Sequence, residues 1–138
     1  MNTKIVSIIA VAALLIVARP AHAQQEPTQR EWNIYYDYAE KIYYVGTEDK
    51  EAFNNAFKAV AAEHGLTEEE LDAAIEKVYA YGLTPEEDKI FDELNDRMIA
   101  LGDNATQEQK DAVEMEIARK YGLSEARLFD IVGRAFPL

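Results

Sequence analysis

His64-Gly65-Leu66-Thr67, Tyr81-Gly82-Leu83-Thr84 and Tyr121-Gly122-Leu123-Ser124 are three settings of one short pattern, and their chemistry decides the fold class. Glycine takes the left-handed backbone that ends a helix, the leucine after it packs back on the last turn, and Thr or Ser caps the helix that follows. Each stretch is a helix stop joined directly to a helix start. Thr67 with Glu70 and Thr84 with Glu87 have the spacing of a capping box, and Thr28 with Glu31 and Thr106 with Gln109 repeat it. Pro85 falls at a first helical position, where its missing N–H costs nothing.

Between these marks the spacing predicts six helices, at about 29–45, 48–64, 68–81, 85–101, 107–121 and 125–136. Apolar residues recur at helical intervals in each. Phe53, Phe57, Val60 and Ala61 form one stripe, Leu71, Ala74, Ile75 and Val78 the next, and Ile90, Phe91, Leu94, Met98 and Leu101 another. No segment alternates with period two between turn signals, so a β-sheet is not expected. The expected fold is all-α, with six short helices in a compact bundle or an array of helical hairpins. Setting Gly65 on Gly122 aligns Val60 with Ile117, Leu66 with Leu123, Leu71 with Leu128 and Ile75 with Val132. This describes two similar helix–turn–helix hairpins.

Outside the helices, Met1 to Lys4 is a short basic segment, Ile5 to Val17 an apolar one, and Ala21-His22-Ala23 a small-x-small cleavage site. Together they read as a secretory signal peptide over residues 1–23, which places the protein in the periplasm or outside the cell, with no membrane attachment after cleavage. Residues 24–28 read as a polar tether and residues 29–138 as a single all-α domain. With Lys4 and Arg19 removed, twelve Lys and Arg remain against 26 Asp and Glu, a net charge of −14. That balance excludes a partner held by phosphate neutralisation, so no nucleic acid is expected despite the helix-turn-helix look of the last hairpin.

Little in the chain supports catalysis. It has no Cys, and beyond the leader a single His, His64, so neither a thiolate nor a His/Cys metal centre can be built. The acidic stretches do not follow the twelve-residue calcium loop, which leaves loose surface calcium binding as the metal chemistry compatible with the sequence. Glu68-Glu69-Glu70 and Glu86-Glu87-Asp88 sit in first helical turns, where the helix dipole favours negative charge without any catalytic role. No cofactor fingerprint or nucleophile arrangement is present, and the expectation is a protein that is not an enzyme and carries no cofactor.

The first helix holds more aromatic residues than one buried face requires: Trp32, Tyr35, Tyr36, Tyr38, Tyr43 and Tyr44. On a helical wheel Trp32, Tyr35, Tyr36 and Tyr43 share a broad face with Ala39 and Ile42; Ile34 and Tyr38 lie to its side, and Tyr44 points nearly opposite. Burial of one face in the core is the plain reading. The excess marks these six residues as the candidate binding surface, because Tyr and Trp offer rigid contact area with a polar tip. Leu66-Thr67-Glu68-Glu69-Glu70 and Leu83-Thr84-Pro85-Glu86-Glu87 resemble the Leu-Thr-x-x-Gln pattern of small helical periplasmic stress chaperones, with Glu in place of Gln. That resemblance implies an exported, protein-binding role. The expectation is a non-enzymatic interaction or chaperone-like module with a protein partner or self-association. A small-ligand or envelope-saccharide binder using the same aromatics is the alternative, and an uncharacterised hydrolase the third reading.

Overall fold

A computed structural model of the chain describes residues 25–136, so the leader expected at residues 1–23 lies outside the described residues. Six helices follow one another: α1 (Gln29–Val45), α2 (Lys50–Glu63), α3 (Glu68–Tyr81), α4 (Pro85–Leu101), α5 (Gln107–Tyr121) and α6 (Glu125–Ala135). There is no strand among the described residues, and no helix among them is long and apolar enough to cross a membrane. All four capping boxes form. In each, the Thr hydroxyl accepts from the backbone N–H three residues on, and the Glu or Gln side chain accepts from the Thr N–H. The expected start of α2 shifts to Lys50, because Asp49 is the cap and accepts from Glu51 N and Ala52 N, both at 3.0 Å.

The chain divides into two compact units at Gly82 and Leu83. In the amino-terminal unit, residues 25–82, α1 packs against both α2 and α3. Its core joins Trp32, Ile34 and Tyr35 to Val60, Ala61, Leu71, Ala74, Ile75 and Val78. In the carboxy-terminal unit, residues 83–136, Leu83, Ile90 and Leu94 meet Val113, Ile117, Ala118, Leu128, Ile131 and Val132. Each Val, Leu or Ile among them contributes about 1.5–3 kcal/mol when fully buried, so each unit has its own apolar centre.

The two units are copies of one three-helix design, which extends the hairpin similarity seen in the sequence to α1 and α4. Residues of α2 and α3 match those of α5 and α6 at an offset of 57, whereas α1 matches α4 at 56. The loop between α4 and α5, residues 102–106, is one residue longer than the loop between α1 and α2, residues 46–49. A single fixed offset therefore loses register in the first helix of each unit. With the shift allowed, Thr28 matches Thr84, and Gly46 (φ 76°, ψ 176°) matches Gly102 (φ 77°, ψ 174°).

The correspondence reaches individual side-chain contacts. The Lys77 ammonium bonds the capping-box carboxylate Glu31 at 2.8 and 3.0 Å, and at the matching positions Arg134 pairs with Glu87 at 2.8 Å. Edge-to-face rings Tyr35 and Tyr79, 5.8 Å apart, match Phe91 and Phe136, 5.3 Å apart. His64 on Asp37, at 2.7 Å, matches the Tyr121 hydroxyl donating to Glu93.

Of the three stop–start turns, two close as expected. Leu66 N donates to Ala61 O and Leu123 N to Ala118 O, both at 2.8 Å, which is the Schellman closure around a left-handed glycine. Gly82 differs: its φ is +87° but its ψ is −131°, and its own N–H simply continues to Val78 O. The turn at Gly82 is a correction to the left-handed geometry expected there. Instead of folding back on α3, Leu83 is buried in the core of the next unit.

Candidate functional site

The six aromatic residues of α1 do not form one surface. Trp32 and Tyr35 are buried at 6% and 1% exposure, a correction to their place in the expected contact surface. Because α2 and α3 flank α1 on two sides, the buried arc is wider than a single wheel face and takes in Ile34 as well. Tyr36 is half-buried and stacks on Trp32 with ring centroids 5.5 Å apart, and Tyr81 meets the Trp32 ring edge-on. At the end of the helix Tyr44 stands 66% exposed, its ring edge-to-face with the half-buried Tyr43.

Tyr38 takes the most informative position. It lies in a chain of five rings that crosses all three helices of the unit. From Tyr79 on α3 the chain passes to Tyr35 and Tyr38 on α1, then to Phe57 and Phe53 on α2, with centroid separations of 5.8, 6.2, 6.1 and 6.4 Å. Tyr79 is 47% exposed, whereas Tyr38, Phe57 and Phe53 are half-buried. Burial, together with the nearby Tyr79 hydroxyl and Asp72 carboxylate, pushes the Tyr38 hydroxyl up to about 12; it is neutral at any physiological pH. At its far end the ladder opens on a shallow groove of about 210 Å³ lined by Thr47, Lys50, Phe53 and Asn54.

The second unit shows how much of this ladder the fold requires. At the positions of Tyr79 and Tyr35 it has Phe136 and Phe91, so that pair belongs to the shared architecture. At the positions of Tyr38, Phe57 and Phe53 it has Leu94, Glu114 and Lys110, and at those of Trp32 and Tyr36 it has Asp88 and Asp92. A three-helix unit of this design is therefore built without the extended aromatic ladder. Phe53, Phe57 and Tyr79 are the site residues that the sequence reading did not single out; the first two were visible as an apolar stripe whose direction was not.

Charge is distributed unevenly along this face. The α3 residues Glu69, Asp72 and Glu76 are exposed and lie on one side of the helix with Tyr79. None of the three carboxylates makes an ion pair among the described residues; the adjacent Lys77 is turned to Glu31. Among the described residues no group of three or more His, Cys, Asp or Glu is placed to hold a metal ion. No protein-family model, curated protein or solved structure matches the chain.

Proposed function

We propose that this chain is an exported, non-enzymatic protein-binding module whose contact surface is the aromatic face of the amino-terminal unit. The observation that carries the reading is the aromatic excess over the second unit. One copy of the three-helix design carries rings at Tyr38, Phe53, Phe57 and Tyr44 where the other has Leu94, Lys110, Glu114 and Ala100. Half-buried and exposed rings are the side chains that serve as anchors in protein interfaces. The groove at the end of the ladder, about 210 Å³ and below the roughly 300–1,000 Å³ typical of small-molecule pockets, has room for a side chain of a protein partner.

The test is site-specific photocrosslinking in the cell, with a benzophenone amino acid at Tyr44, at Tyr79 and, as the control, at Ala100, the exposed counterpart of Tyr44. Discrete protein adducts from the first two positions and none from Ala100 are expected. Equal labelling at all three positions, or none at Tyr44 and Tyr79, would overturn the assignment.

A further inference from the structure

From the charge beside the exposed rings we infer that the partner presents a cationic polypeptide segment, rich in Lys or Arg, to the Tyr79 half of the aromatic face. The inference rests on the binding role proposed above and adds the chemistry of what is bound. Three observations support it.

The first is charge without local compensation. Across residues 24–82 there are five Lys and Arg against thirteen Asp and Glu, a net charge of −8. Of the five cations, Lys77 is committed to Glu31, Lys41 to Glu63 at 2.8 Å, and Arg30 donates to the backbone carbonyl of His64. Glu69, Asp72 and Glu76 have no ion-pair partner among the described residues. The second is aromatic placement. Tyr79, 47% exposed, shares that side of α3 with the carboxylates, and an exposed ring beside negative charge attracts ammonium and guanidinium groups through both its quadrupole and the local field.

The third comes from the matching helix. The positions of Glu69, Asp72, Glu76 and Tyr79 are taken in α6 by Ala126, Phe129, Gly133 and Phe136. The acidic stripe is thus absent from the other copy of the design. Of these four features only the ring at Tyr79 is common to both copies, so the carboxylates are an addition specific to this face. The same stripe repels anionic lipid and nucleic acid. At the groove end the one charged lining residue is Lys50, so the cationic segment aligns with α3 and not with the groove.

Fluorescence anisotropy with the mature protein tests this, using a labelled amphipathic peptide of alternating Lys and Leu and its counterparts with Gln or Glu in place of Lys. The Lys peptide should bind and the Glu peptide should not. The isosteric double substitution Asp72→Asn with Glu76→Gln should weaken the Lys peptide about ten-fold or more, equivalent to about 1.4 kcal/mol. Glu86→Gln with Asp96→Asn, which removes the same charge from exposed positions of α4, should change it by no more than about two-fold if the α3 stripe, and not the total charge, holds the peptide.

Equal weakening by the two doubles would mean attraction by bulk charge and would overturn the inference. A Gln peptide bound as tightly as the Lys peptide, and lost with Tyr79→Ala, would overturn the cationic partner while leaving the aromatic surface standing. Failure of the wild-type protein to bind the Lys peptide would also overturn the cationic partner. If the crosslinks at Tyr44 and Tyr79 are absent as well, the binding role itself falls.

Discussion

Glu114 shows how one buried carboxyl sets a pH dependence. It is 7% exposed on α5, at the position where the first unit has Phe57, and burial, with Asp111 and Glu125 nearby, pushes it up to about 7 from 4.5. The folded state therefore holds a proton that the unfolded state has already released between pH 4.5 and about 7. Stability falls as pH rises through that window and levels off above it. Glu114→Gln should leave stability at pH 4 unchanged and raise it at pH 8, by about 3 kcal/mol at most. Urea unfolding at the two pH values checks this, and an equal effect at both would assign the change to packing. Gly122 gives a second single-residue test. Its φ is +64° and a Cβ there would meet no atom within 4 Å, so Gly122→Ala should cost about 1–2 kcal/mol from backbone strain alone. Tyr44→Ala, at a 66% exposed ring, should shift stability by no more than about 0.5 kcal/mol.

Helix ends carry a different kind of information from helix faces. The caps were legible because each is a set of bonds within a few residues of the chain: Thr67 with Glu70, Thr84 with Glu87, Ser124 with Arg127 N. What those capping glutamates do beyond their own turn was not legible. Glu31 and Glu87 both reach a cation on the third helix of their unit, yet the surroundings differ. Lys77 and Glu31 are partly exposed, at 29% and 27%, whereas the Arg134 side chain is fully buried and bonded to Glu87 and Asp130. Burial alone would lower the Arg134 ionisation; the hydrogen bonds and charges of Glu87 and Asp130 outweigh it and hold the guanidinium ionised. Lys77→Ala should accordingly cost no more than about 1 kcal/mol. Arg134→Ala should cost more, up to about 3–5 kcal/mol, because it removes the fully buried cation from two buried carboxylates that keep only longer contacts, 3.3 and 3.2 Å, to the partly exposed Arg127. Denaturant titrations of the two variants compare equivalent links in the two copies, and equal costs would contradict the role assigned to burial.

Two units with separate cores predict where a core defect is felt. Leu71 and Ile131 are both fully buried, one in each unit. Truncation of either to Ala should cost about 2–5 kcal/mol. In native-state hydrogen exchange Leu71→Ala should lower protection in α1–α3 more than in α4–α6, and Ile131→Ala should do the reverse. Uniform loss across all six helices in both variants would show that the two cores open as one. The duplication also explains the limited reach of the sequence comparison. Hairpin α2–α3 aligned with α5–α6 at one offset, but the extra residue between α4 and α5 displaced α1 from α4, so the repeat of the whole unit became visible only in three dimensions.

The six helices and their ends could be read directly from the residues, because capping, glycine stops and apolar periodicity are settled within one or two helical turns. Which rings face water could not. Tyr38 finds Phe57 across the α1–α2 contact, Tyr35 finds Tyr79 across more than forty residues, and Trp32 is covered only once α3 returns with Tyr81. The same distance dependence hid the buried Glu114 and the unpaired carboxylates of α3. A wheel assigns one face to a helix, but two flanking helices decide how much of its circumference is buried, and that is a property of packing.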